Sequence, residues 1–207
     1  MRGPVRIAVI DSGVHARHEH VRGVAGGVRI TGEGRLETDY VDWLGHGTAV
    51  TAVIREKAPD AAIFAVKIFH GALAAPIETL VRAIDWSVEN GMHLINLSLG
   101  VNNPAHEQLL RATVDRVRAR DIILVAAYDD AGVRWLPGSL PGVLPVALDW
   151  NCPRDEYRTE ALPDGRTVYR ASGYPRPIPG VPQERNLKGI SFAVANVTGL
   201  VAREWDV

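Results

Sequence analysis

Five short, mainly apolar runs, set between stretches of helical periodicity, constrain this chain's fold most. They are Arg6–Ile10, Ala61–Ile68, Met92–Leu99, Ile122–Ala127 and Val143–Leu148. A run of this length without polar alternation suits a strand buried on both faces. Between the runs, Ile77, Leu80, Val81, Ile84 and Val88 recur at helical spacing before an Asn90-Gly91 stop. Leu109, Leu110, Val114 and Val117 mark a second amphipathic helix, whose Arg and Asp residues read as a solvated face. Such alternation predicts an α/β fold with a mostly parallel sheet and helices on both faces. Tyr157 to Ala171 alternates as a hairpin would. No repeat or linker interrupts the 207 residues, so one domain over 1–207 is expected.

Three segments carry the chemistry. The first strand ends in Asp11-Ser12-Gly13, and the carboxyl ends of strands are where open α/β sheets place their sites. His46 lies between two glycines and opens the apolar stretch Thr48–Ile54. Ser191 follows Gly189-Ile190 and precedes Phe192–Val201, a run with the length and density of a buried helix. At that helix N-terminus, free N–H groups and the positive dipole end favour an oxyanion. Singly, each residue has an ordinary explanation: a turn Asp, a surface His, a loop Ser. Together they supply a nucleophile, a base and an acid to orient it.

The order Asp, His, Ser on an α/β background resembles the subtilisin-like serine proteases, the subtilases. The resemblance runs from about Val5 to Val201. Besides the three segments it includes Ala58-Pro59 with the strand to Ile68, Ile95-Asn96-Leu97-Ser98-Leu99-Gly100, and the turn Leu136–Val143. It implies a subtilisin-like three-layer fold and a serine endopeptidase with catalytic Asp11, His46 and Ser191. It also implies an edge strand, Ile95–Gly100, whose Ser98, Leu99 and Gly100 pair with an extended peptide. The primary pocket would be lined by Ala126, Ala127, Tyr128 and Asp130. Tyr128 and Trp135 point to a small or occluded pocket, whereas Asp130 at the rim points to Lys or Arg. The backbone N–H of Ser191 would be one oxyanion donor.

The sequence departs from the family where the second oxyanion donor belongs. Ala126-Ala127-Tyr128-Asp129 stands for an Ala-Ala-Gly-Asn-like segment, so Asp129 occupies the amide position. An ionised Asp only accepts, whereas a protonated one donates. A kexin-like branch carries Asp there and remains proteolytic, so Asp129 is compatible with activity; the lost amide donor predicts a slower enzyme or one favouring mild acid. Ile190, Ala49 and Ala195-Asn196 are smaller departures. The segment Ile54–Pro59 is too short for the family's calcium loop. No metal and no cofactor are expected.

The remaining readings are exclusions and open alternatives. With 23 basic and 24 acidic side chains, net charge −1, nothing favours nucleic acid or an anionic membrane. One cysteine, Cys152, excludes an intramolecular disulfide and reads as a buried or loop thiol. No leader or membrane-length apolar run appears, which suggests a cytoplasmic enzyme or a trimmed domain. The chain closes soon after the serine helix, earlier than the family does. A homodimer or a partner covering that side is therefore expected, beside the peptide or protein substrate. The loop Tyr174–Pro182 is either a stiff connector or a wall of the substrate cleft. Restricted processing of a peptide or precursor is the functional expectation. A catalytically impaired, peptide-binding pseudoprotease is the alternative, and an α/β binding domain whose Asp, His and Ser never meet is a third.

Overall fold

The computed structural model describes residues 3–205 except Ala131, with Asp130 described in its backbone alone. Parallel strands form the middle of one twisted sheet: β1 (Arg6–Asp11), β2 (Gly26–Ile30), β4 (Ala62–Lys67), β5 (Leu94–Leu97), β6 (Ile123–Asp130), β8 (Leu144–Leu148) and β10 (Thr167–Ala171). Short antiparallel strands β3 (Leu36–Glu37) and β9 (Arg158–Ala161) close its two ends, and β7 (Val133–Arg134) folds back on β6. The order is β3-β2-β4-β1-β5-β6-β8-β10-β9.

Successive side chains of a strand point to opposite faces, and β1 shows the consequence. Ala8 and Ile10 face α2 (Ile77–Glu89) and α3 (Glu107–Arg118), where Leu80, Ile84, Leu110 and Val114 complete a core. Ile7 and Val9 face α1 (His46–Lys57) and α4 (Ile190–Arg203), with Val50, Val53, Phe192 and Ala195. The all-buried sequence of β1 is thus accounted for by helices on both sides. The expected α/β architecture and the Tyr157–Ala171 hairpin are both present.

Two expectations are corrected. The run Met92–Leu99 yields a strand only over Leu94–Leu97. Beyond Leu97 the chain leaves β6, because Val101 bridges Leu136 and Trp135 packs on Gly100 in the gap. The presumed edge strand is also no edge: Ile95–Leu97 pairs with β1 on one side and β6 on the other. Only Ser98, Leu99 and Gly100 extend past the ladder. The sequence reading gave no strand for β2, β3 or the β6–β7 hairpin, which are short and lack apolar runs.

Candidate active site

Asp11 is the last residue of β1 and is almost wholly buried, with 1% of its side chain exposed. His46 is the first residue of α1. Its Nδ1 lies 2.8 Å and 3.0 Å from the two Asp11 carboxylate oxygens. Bringing the start of α1 this close to β1 demands a glycine. A Cβ on Gly47 would lie 2.2 Å from the Gly13 carbonyl and 3.1 Å from Asp11 Cβ. Burial pushes the His46 imidazole pKa down. The Asp11 hydrogen bond and the charges of Asp11 and Asp42 outweigh burial and hold it above the ordinary 6.5.

Ser191 sits in the first turn of α4, whose preceding residue, Gly189, has φ +146°, a value L side chains rarely adopt. The neighbouring Phe192 ring lies 5.8 Å from the His46 ring, centroid to centroid. The Ser191 hydroxyl donates to the Ser98 carbonyl at 3.0 Å. Among the described residues no hydrogen bond joins it to His46, and none engages the Ser191 N–H. The Ser98 segment is tied to α4 by a buried relay. Thr198 Oγ1 donates to Asn96 Oδ1 at 2.9 Å, and Asn96 Nδ2 donates to Ser98 Oγ at 2.6 Å.

A second buried carboxylate, Asp42, was missed by the sequence reading. It accepts from Ser12 Oγ, Leu44 N and Gly45 N at 2.9 Å each, and from Thr48 N and Oγ1 at 2.9 and 2.7 Å. Ser12 Oγ in turn accepts from Gly47 N at 2.9 Å. The residue before α1 offers no side-chain cap, so Asp42 and Ser12 satisfy first-turn N–H groups from outside the helix. Burial alone would raise the Asp42 pKa, yet its bonds from Thr48, Gly45 and Ser12 win and leave it below 3.8. The legible signal was an Asp four residues before His46, two and three residues ahead of backbone N–H groups it could cap.

The specificity and oxyanion candidates are more dispersed. Asp129 Oδ1 accepts from Gly132 N at 3.3 Å, in the β6–β7 turn. Asp129 lines a cavity of about 500 Å³ with Leu148, Trp150 and Arg170. Among the described residues no hydrogen bond links it to Ser191 or His46. Ala126 and Ala127 are buried in β6, their backbone covered by the close approach of Gly138. Tyr128 accepts from Trp135 N at 3.0 Å. The side chain of Asp130 lies outside the described residues. Trp135 fills the space between Gly100 and β6: a Cβ on Gly100 would lie 2.9 Å from Trp135 Cβ. No backbone hydrogen bond engages the N–H or C=O of Leu99 or Gly100 among the described residues. Cys152 is buried and far from this chemistry in sequence, and burial pushes its thiol pKa up. No group of three or more His, Cys, Asp or Glu among the described residues could hold a metal ion. No helix there is long and apolar enough to cross a membrane.

The peptidase S8 profile, described as the subtilase family, matches residues 3–142. The chain belongs to the subtilase family. The matched region includes Asp11, His46 and Asp129 and ends before Ser191. Subtilisin DY of Bacillus licheniformis is 28% identical over 219 residues, 96% of this subtilase and 75% of that protein. The thermostable alkaline protease of Halalkalibacterium halodurans is 32% identical over 166 residues, 74% of this chain but only 44% of that one. Family and relatives indicate a serine-type endopeptidase. Among solved structures, the prenylagaramide maturation protease PagA superposes with a TM-score of 0.65 at 23% identity, covering 96% of this subtilase and 74% of that chain. A lanthipeptide protease superposes with a TM-score of 0.73 at 17% identity, covering 96% and 72%. At these identities the likeness establishes the fold.

Proposed function

We propose that this subtilase hydrolyses peptide bonds with Ser191 as nucleophile, His46 as general base and Asp11 as the acid that orients it, and that its task is processing of a precursor peptide. The observation that carries the proposal is the contact of both Asp11 oxygens with His46 Nδ1, beside a serine at a helix N-terminus. With Nδ1–H held by Asp11, the free Nε2 is the basic nitrogen. The Ser191 hydroxyl must turn from the Ser98 carbonyl to Nε2 and pass its proton there as Oγ bonds to the scissile carbon. The Ser191 N–H then stabilises the oxyanion. His46 gives the proton to the leaving nitrogen as the C–N bond breaks. Water repeats the sequence on the acyl-enzyme. The precursor-processing role draws support from the two structural neighbours, whose names describe maturation of a prenylagaramide and action on lanthipeptides.

A fluorophosphonate probe tests this reading. Labelling at Ser191 that is lost in His46→Ala supports it; absence of labelling at any pH sinks it. The pH profile is a further check. Only neutral His46 can accept the proton, so kcat/KM should rise with pH through a midpoint above the ordinary 6.5.

One observation favours a second reading, an impaired protease that binds peptides. The Ser191 hydroxyl is engaged by Ser98, and Asp129 acts as an acceptor toward Gly132. If Asp129 is the second oxyanion residue, Asp129→Asn supplies a donor and should raise kcat at neutral pH by about tenfold or more. An unchanged kcat with intact labelling removes Asp129 from the oxyanion role.

Trp135 is the proposed ceiling on the residue at the acyl side of the scissile bond. With the indole on Gly100, glycine and alanine should be preferred there. Trp135→Ala should improve kcat/KM for leucine or phenylalanine at that position at least about tenfold, in peptides otherwise identical.

A further inference from the structure

A cavity of about 690 Å³, lined by Asp42 and by Gly45, the residue before His46, lies between the first turns of α1 and the loop that precedes α4. Its volume is that of a ligand site rather than a packing defect. Ala49 and Ala52 of α1 form its floor. Trp43 and Leu44 line one wall and Ile178 and Leu187 the other, with His15, His18, Glu19, His20 and Arg176 also at its lining. These four side chains are unusually exposed for large apolar residues: Trp43 is 77% exposed, Leu187 52%, Ile178 46% and Leu44 40%. Exposed apolar side chains scattered singly need no explanation, but four that converge on one cavity mark a recognition surface. The proline-rich loop singled out in the sequence contributes Pro175 and Pro179 to the lining of the same space.

The cavity's place in the fold decides what fills it. The backbone of Leu99 and Gly100, which makes no backbone hydrogen bond among the described residues, lies past β5, where the acyl half of an extended peptide can add as a strand. The cavity is lined by Gly45, the residue before His46, and by Leu187, four residues before Ser191, while Leu99 and Gly100 take no part in its lining. The leaving nitrogen must come within reach of His46, which donates its proton. The peptide that follows that nitrogen is consequently delivered to the cavity mouth, at about 3.3 Å per residue.

We propose that this cavity is a specificity site for a bulky apolar side chain, aromatic or branched aliphatic, within the first three residues after the scissile bond. The proposal rests on Ser191 being the nucleophile. It identifies the substrate class as a precursor whose released segment begins with an apolar anchor.

The test uses peptides identical up to the scissile bond, carrying phenylalanine or serine in turn at each of the first three positions after it. At one of these positions phenylalanine should raise kcat/KM at least about tenfold, through KM. Trp43→Ala and Ile178→Ala should each reduce that preference several-fold, while fluorophosphonate labelling of Ser191 keeps its wild-type rate. No preference in the wild type, or a preference unchanged in both variants, overturns the proposal. If the wild type is neither labelled nor active, the proposed function fails separately. Fluorescence polarisation of the same labelled peptides then decides: tighter binding of the apolar peptide, lost in both variants, sustains the site, and equal binding overturns it. Concentration-dependent dimerisation abolished by Trp43→Ala, with no peptide preference, would assign the surface to a second copy and also overturn it.

Discussion

Ser191→Ala and His46→Ala should each lower kcat by a factor on the order of 10⁶, the magnitude the same triad shows in subtilisin, with the double variant losing little more. The near-equality follows from the chemistry. A serine without a base is a weak nucleophile at neutral pH, and a base without the serine has no hydroxyl to activate. Asp11→Asn should cost less, about 10⁴-fold. Both Asp11 oxygens lie within 3.0 Å of His46 Nδ1, so Nδ1 is the proton donor. An asparagine NH₂ turned toward Nδ1 would make that nitrogen the acceptor and place the proton on Nε2, where the base must be free. Single-turnover rates with an ester substrate, together with circular dichroism to verify folding, measure all three. An Asp11→Asn enzyme within tenfold of wild type would contradict the orienting role.

The extent to which this was legible follows from the kind of interaction involved. β1 was readable because burial on both faces leaves no polar residue in Ile7–Ile10, and Asp11 was conspicuous as the first exception. α2 was readable because its apolar stripe faces one core and Asn90-Gly91 ends it; Gly91 has φ +64°. β5 was overextended because hydropathy does not report that Trp135 occupies the space beside Gly100. That contact joins residues far apart in sequence. The same applies to the cavity. Trp43, Leu44, Ile178 and Leu187 are unremarkable loop residues until the chain brings two loops together.

Asp129 shows the reverse case. Alignment with the family's amide position was a statement about sequence register, whereas its hydrogen bonding depends on the β6–β7 hairpin, which the chain's turn residues did not announce. In that hairpin the carboxylate caps Gly132 N–H, an ordinary turn function. The relay through Thr198, Asn96 and Ser98 was equally hidden, since all three read as isolated polar residues in apolar runs. Buried polar groups must find partners, and only the fold identifies them.

Asp42→Ala should be the most damaging substitution outside the triad, because it strands donors on both sides of the Asp11–His46 pair. Ser12, adjacent to Asp11, loses its acceptor, and so do Leu44, Gly45 and Thr48 around His46. Each orphaned buried donor costs about 1–3 kcal/mol, but water entering the vacated space recovers part, so a total near 3 kcal/mol is expected. Asp42→Asn keeps the volume and some acceptors while removing the charge. Its diagnostic effect is on His46, whose raised pKa depends in part on that charge. The midpoint of the kcat/KM profile should therefore move to lower pH in Asp42→Asn, with kcat reduced more than KM is raised. A purely structural Asp42 would lower stability and leave the midpoint in place. The stability profile carries its own sign. Asp42 has a folded pKa below 3.8, so its contribution is full above that value and disappears as pH falls through the folded pKa. Urea titrations of wild type and Asp42→Asn should thus differ most near neutrality and converge in acid.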